Sequence, residues 1–302
     1  VSSTADIEGS VRSSAAGFVS ALRPAHWLKN MLLAAPLVFG HAEITTALAA
    51  QFALAFASMC LAASAGYLIN DIVDRDADRL HAVKSRRPVA SGRIAVGGAT
   101  IVAAIFAAAS IGLALVVGTT VAFCVAAYLI GTLSYTLLFK KLPVVDIVVL
   151  SSLYVWRMIV GGELAGLPLS WWLVVFAYSL FMALALAKRV DELVSGDADQ
   201  NMSGRPYRPE HLARLRAGCI VLTVASIAAV MGYVGFSTAA RTFYEAPFWL
   251  WASASGVAFW LIRIVVLAMR GKLAGDPVLF SASDPKSLLI AAFVVTALIA
   301  AM

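Results

Sequence analysis

Charge is what this sequence has least of: Asp, Glu, Lys and Arg make up 13% of it, about half the share found in a soluble domain. That shortage excludes an ordinary soluble globule, and a disordered polyelectrolyte as well. Cysteine is nearly missing too. Cys60, Cys124 and Cys219 stand alone in apolar stretches with no paired spacing, so neither a disulfide framework nor a zinc site is implied. His26, His41, His81 and His211 are too scattered for a histidine metal centre. Residues 1–17, rich in Ser and Ala, lack the apolar core of a signal peptide. Val1 in place of methionine fits an alternative start codon or a trimmed chain equally well. Residues 1–22 are expected to form a flexible cytoplasmic tail ahead of one transmembrane catalytic domain over 23–302.

What the sequence has in abundance is apolar length. Hydrophobic residues reach 61% and the mean hydropathy is +0.88. Segments near 27–39, 48–69, 98–117, 119–139, 144–162, 169–187, 215–236, 247–269 and 286–301 predict an all-α polytopic membrane protein of about nine spans, the first short and kinked at Pro36. The net charge of +6 is not spread as a nucleic-acid binder would spread it. Arg23, Lys29, the 71–93 loop, Lys140-Lys141, the 188–216 loop, Arg270, Lys272 and Lys286 all fall on one side. The other side carries only Arg241 as a clear base, besides His41, Glu43 and Glu245. Positive charge gathers on cytoplasmic faces, so the N-terminus and the long polar loops are placed in the cytoplasm. Anionic lipid and phosphorylated substrates are the expected partners, nucleic acid is not, and self-association is compatible with the sequence.

The richest stretch is Asn70-Asp71-Ile72-Val73-Asp74-Arg75-Asp76-Ala77-Asp78, at the mouth of the second apolar segment. Four carboxylates there are costly unless something cationic offsets them. If the helix runs on through them, Asp71, Asp74 and Asp78 share a face and Asp76 points away. Convergent hard oxygens suit Mg²⁺, which leaves coordination positions for water and phosphate. Lys84, Arg86, Arg87 and Arg93 follow as a basic cluster able to hold phosphate oxygens. The reading is a magnesium–diphosphate site at the membrane surface; the bland alternative is a solvated loop whose charges cancel.

A second loaded loop opens with Lys188-Arg189-Val190-Asp191-Glu192, where helical spacing puts Lys188, Asp191 and Glu192 on one face. It continues to Gly204-Arg205-Pro206-Tyr207-Arg208-Pro209-Glu210, a turn-rich segment with two arginines. The two loops lie about four helices apart, which hints at a duplicated half-molecule with a shared site. Trp27 and Lys29 fit interfacial anchoring and function equally. Arg157, mid-helix in an apolar segment, is expected to face a polar cavity or a carboxylate. Tyr135 and Asp146 sit near the cytoplasmic edge and have the weakest claim to function.

These motifs resemble the UbiA superfamily of intramembrane prenyltransferases. Asn70-Asp71-x-x-Asp74-x-x-x-Asp78 fits that family's first aspartate-rich motif in full, and Arg23-Pro24-x-x-Trp27-x-Lys29-Asn30 agrees with it. The second motif departs. Prenyl-transferring members carry Asp-x-x-x-Asp, whereas here Asp191 is followed by Ser195. Lys188-Arg189-x-x-Glu192 is instead similar to the branch that moves 5-phosphoribose from phosphoribosyl diphosphate (PRPP) to a polyprenyl phosphate, a branch that includes a rhizobial nodulation protein. So are Ala63-Ser64-Ala65-x-Tyr67-Leu68, Lys84-x-x-Arg87-Pro88, Ser151-Ser152-x-Tyr154 and the Asp276-Pro277 region.

The resemblance implies a UbiA-like helical bundle in the bacterial inner membrane with Mg²⁺ as cofactor, serving D-arabinose donors for envelope or lipo-oligosaccharide glycans. It implies Asp71, Asp74 and Asp78 as metal ligands, with Lys188 and Glu192 beside them in catalysis. Lys29, Asn70, Lys84, Arg86, Arg87, Tyr135, Arg157, Arg189, Asp191, Arg205 and Arg208 are the expected substrate contacts. Two other readings stay open: prenylation of an aromatic acceptor, and a transporter of phosphorylated lipid or metabolite that uses the charged loops only for binding.

Overall fold

The computed structural model describes residues 17–81, 83–195, 207–273 and 275–302. All regular structure among them is helical. The long helices are α1 (Thr46–Val73), α2 (Val96–Val117), α3 (Thr119–Leu137), α4 (Val145–Ala165), α5 (Trp171–Val194), α6 (Leu212–Phe236) and α7 (Pro247–Met269), followed by the bent pair α8 (Pro277–Ser283) and α9 (Pro285–Ala301). Seven helices among the described residues are long and apolar enough to cross a membrane, eight if the bent pair is one span. The protein is thus an all-α polytopic membrane protein; the expected count of about nine also includes a short first segment.

The short first segment, residues 27–39, is helical but broken: a 3₁₀ stretch, Pro24–Ala34, gives way to a short α-helix, Ala35–Phe39. Pro24 and Pro36 each sit within the first two positions of their element, where proline's missing N–H costs nothing. Ahead of this segment, residues 17–22 are helical, and Phe18, Ala21 and Leu22 pack with Leu68, Val89, Ile94, Ala99 and Ala103. Residues 17–22 of the expected tail are therefore helical, and its residues 1–16 lie outside the described residues.

By its contacts the chain divides into two compact units. The first comprises Val1–Val149, Trp156–Leu167 and Asp199–Pro206. Here α1 packs on α2, α3 and the 3₁₀ stretch. Its inner face is built of small residues, among them Ala55, Ser58, Ala62, Ala63, Ser64, Ala65 and Gly66. In lipid, where apolar burial gives little drive between helices, such residues allow close van der Waals approach. Ser58 donates to the Ser110 carbonyl of α2 at 2.7 Å. The tightest approach is at Gly161 of α4, where an added Cβ would stand 2.0 Å from the Leu33 carbonyl oxygen.

The second unit comprises Leu150–Val155, Pro168–Ala198 and Tyr207–Met302. There α5 pairs with α6, while α7 packs on α5, α6 and α9. Val234, Tyr244, Leu250, Ala254 and Ala301 share one core. The α8–α9 pair bends by 87° around Asp284, whose carboxylate caps α9 by accepting from Ser287 N–H at 2.7 Å.

Candidate active site

In the first unit α1 ends at Val73, and Asp74 is its C-cap with φ −89° and ψ 0°. A separate short helix, Arg75–Arg79, follows. The acids therefore do not ride one continuous helix, the condition on which Asp71, Asp74 and Asp78 were expected to share a face. The break aims Asp74 at Lys140, with which it forms an ion pair. Lys140 comes from the 3₁₀ turn Phe139–Lys141 behind α3. Asp71 and Asp78, both buried, are bridged by Arg87: its Nη1 lies 3.3 Å from Asp71 Oδ1 and 2.6 Å from Asp78 Oδ2. Arg23 Nη2 approaches the same Asp71 oxygen at 2.5 Å. Asp76 does point away. Its side chain is 79% exposed, against Arg75 and Arg79.

Arg23 reaches Asp71 from a left-handed backbone, φ 52° and ψ 59°, immediately before Pro24. Such a conformation in a non-glycine residue costs on the order of 1–3 kcal/mol and persists where the surroundings impose it. The guanidinium lies over the Tyr67 ring, 5.2 Å from its centre. Next to it Trp27 Nε1 donates to Ser64 Oγ, and Ser64 donates to the Leu22 carbonyl, each at 3.0 Å. Lys29 is buried, so interfacial anchoring does not describe it.

Arg157 is also buried. Its Nε donates to Asn30 Oδ1 at 2.9 Å and its Nη2 to the Tyr128 hydroxyl at 2.6 Å, with the Tyr128 ring centre 4.8 Å away. Two of the partners of this charge are thus neutral, an amide and a phenol. Lys84, Asn70 and Tyr135 are half-buried, Arg86 is exposed, and Asp146 is buried at the start of α4. Arg93 Nη2 donates to the Arg86 carbonyl at 2.5 Å, closing the basic loop on itself.

In the second unit the end of α5 carries the other cluster. Arg189, buried, pairs with Glu192 at 3.0 Å. Lys188 Nζ lies 3.9 Å from Asp276 Oδ2. The buried Asp191 accepts from the Leu273 N–H at 2.8 Å, and Ser195 Oγ donates back to the Asp191 carbonyl at 2.8 Å. Of the three residues expected on one face, each thus meets a different partner. Ser152 and Tyr178 share a hydroxyl hydrogen bond at 2.8 Å, and Tyr154 stacks on Phe181. Arg208 is exposed, and Arg205 lies outside the described residues.

For a divalent cation the first cluster offers hard carboxylate oxygens, and Asp71 Oδ2 is buried with no hydrogen-bond partner. Among the described residues no three His, Cys, Asp or Glu side chains converge closely enough to hold a metal alone. A divalent cation held there by one or two carboxylates would complete its shell with water and phosphate oxygens. Arg23, Arg87 and Lys140 are the cations present to meet those phosphates. Arg23, Tyr67, Asn30 and Tyr128 escaped the sequence-based list of site residues, although Arg23, Tyr67 and Asn30 lie in the quoted motifs. Lys140, 66 residues from Asp74, has no local signal at all.

The description "UbiA prenyltransferase family" matches residues 24–283. The chain is 38% identical over 254 residues to the decaprenyl-phosphate phosphoribosyltransferase of Corynebacterium glutamicum, covering 80% of this chain and 73% of that one. It is 32% identical over 276 residues to the nodulation protein NoeC of Azorhizobium caulinodans, covering 90% and 88%. Against the uncharacterized protein y4nM of Sinorhizobium fredii it is 32% identical over 287 residues; 94% of this chain spans only 56% of that relative's length. In fold it is similar to a UbiA homolog from Archaeoglobus fulgidus bound to GPP and Mg²⁺, with TM-score 0.68 at 17% identity, covering 93% and 99% of the two chains.

Proposed function

The chain belongs to the UbiA prenyltransferase family and is an integral membrane transferase, and we propose that it moves 5-phosphoribose from PRPP to a polyprenyl phosphate with release of diphosphate. The observation that carries this reading is the end of α5. At the two positions of the prenyl-transferring members' second acid pair this chain has Asp191, which accepts from the Leu273 N–H, and Ser195, and Lys188 and Arg189 lie just ahead of them. Cations there suit a phosphate monoester better than a second metal. The printed name of the Corynebacterium relative points the same way.

The chemistry asks that diphosphate leave a ribose C1 that gains cationic character. A phosphate oxygen of the lipid attacks C1, the bond from C1 to the diphosphate oxygen breaks, and its electron pair departs with the diphosphate, inverting C1. The nucleophile is already anionic near neutral pH, so no general base is required. Arg23, Arg87 and Lys140 are assigned to the leaving diphosphate, where preorganised positive charge lowers the barrier. Asp71, Asp74 and Asp78 would hold Mg²⁺, which when bound neutralises the departing charge. Lys84 and Arg86 are assigned to donor phosphate oxygens, with Lys188 and Arg189 for the 5-phosphate or the lipid phosphate, and Glu192 fixing Arg189.

The positive-inside pattern supports a cytoplasmic N-terminus in the bacterial inner membrane. The proposal extends to a product used in D-arabinosylation of an envelope or signalling glycan. The test offers membranes PRPP, Mg²⁺ and a polyprenyl phosphate, and in a parallel reaction a prenyl diphosphate with 4-hydroxybenzoate. Mass spectrometry should find a phosphoribosylated lipid and no prenylated aromatic. The opposite outcome replaces this reading with aromatic prenylation, and no diphosphate release in either reaction favours a transporter.

A further inference from the structure

The last turn of α5 grips one loop twice. Asp191 takes the Leu273 N–H at 2.8 Å, and one turn earlier Lys188 meets Asp276 at 3.9 Å. Asp276 is also the N-cap of α8: its Oδ1 accepts from Val278 N–H at 3.1 Å and Leu279 N–H at 3.4 Å, so its Oδ2 is the oxygen turned to Lys188. Gly271 and Gly275, at φ 67° and 102°, allow the turns that bring the loop back.

The far end of α8 is fixed as firmly. Arg263 of α7 places Nη1 2.8 Å from Asp284 Oδ2 and Nη2 3.1 Å from Asp284 Oδ1, and Nη1 also donates to Ser287 Oγ at 2.9 Å. Trp260 Nε1 donates to Ser281 Oγ at 3.2 Å. A seven-residue helix held at both ends is a rigid bracket, and it presents one carboxylate to one lysine.

We propose that Asp276 is a positioning residue for the transfer reaction, orienting the Lys188 ammonium so that it receives a phosphate monoester. A lysine on a free four-carbon stem loses rotamer freedom when it binds an anion. Asp276 removes that cost beforehand, and at 3.9 Å it directs the ammonium without replacing the incoming phosphate. This rests on the phosphate-binding role given to Lys188 above.

Two substitutions separate charge from cap. Asp276→Asn keeps a good N-cap acceptor and removes the charge. Asp276→Glu keeps the charge and weakens the cap. We expect Asp276→Asn to melt like wild type and to raise KM roughly fivefold for one phosphorylated substrate, with kcat little changed. Asp276→Glu should melt lower with KM near wild type. Whether the rise is in KM for PRPP or for polyprenyl phosphate tells which monoester Lys188 holds.

In a Lys188→Gln background, Asp276→Asn should add nothing further. An unchanged KM for both substrates in Asp276→Asn, or full additivity with Lys188→Gln, overturns the proposal. Calorimetric binding of inorganic phosphate and of PRPP to wild type, Asp276→Asn, Lys188→Gln and the double variant needs no turnover. If wild type forms no phosphoribosylated lipid, the functional reading fails, and the coupling of 188 to 276 in anion binding still decides this one.

Discussion

Arg87 is the side chain whose removal the structure most sharply constrains. It spans two carboxylates, 2.6 Å from Asp78 and 3.3 Å from Asp71, whose side chains are only 6% and 2% exposed. Breaking one member of a fully buried pair costs about 3–5 kcal/mol, because the abandoned charge stays desolvated. Arg87 itself is 26% exposed and Arg23 still covers Asp71, so solvent and the remaining cation reduce the loss in Arg87→Gln to about 2 kcal/mol. Asp78→Asn should cost less, since an amide left beside Arg87 is neutral. The double variant Arg87→Gln, Asp78→Asn should recover about 1–2 kcal/mol relative to the sum of the two. The assay is reversible denaturant unfolding in mixed micelles, with Asp76→Asn as the exposed control expected within about 0.5 kcal/mol of wild type. Single losses that add to within about 0.5 kcal/mol would show that the two side chains do not couple, and would remove the bridge from the argument.

Activity should follow the same geography: Asp71→Asn and Asp74→Asn each lower turnover by about 10²-fold or more, while Asp76→Asn is mild; a fully active double variant at 71 and 74 refutes the assignment. Chelation with EDTA should abolish phosphoribosyl transfer while leaving the helical circular dichroism unchanged, and added Mg²⁺ should restore it; transfer that persists in EDTA removes the metal from the scheme. Gly161→Ala should cost about 2–3 kcal/mol, since its methyl would meet the Leu33 carbonyl at 2.0 Å; wild-type melting would mean that α4 can shift freely, against the close contact.

Much of this could be read from the residues because lipid makes the rules strict. An apolar run of spanning length has few alternatives to a helix, and eight of the expected segments are single α-helices, seven of them of spanning length. Arg157, a charge inside such a run, was marked as needing a partner, and Asn30 with Tyr128 provide one. What stayed hidden depends on distance along the chain. Spacing alone predicts that a helix through Asp71 and Asp78 continues; the break at Asp74 follows Lys140, 66 residues on. Nothing in the spacing around Asp191 points to the Leu273 N–H, 82 residues away, that donates to it. Helical periodicity carries no information about either.

The ties on the acidic motif also set an order in which this part of the membrane protein can be made. A ribosome releases Arg23 well before Asp71, so the pair that joins them, 48 residues apart, can close as soon as α1 leaves the translocon. Arg87 follows 16 residues after Asp71. Asp74 must wait for 66 residues, a stretch that includes all of α2 and α3. Until then its carboxylate has to remain in water, and a helix that stops at Val73 allows it to.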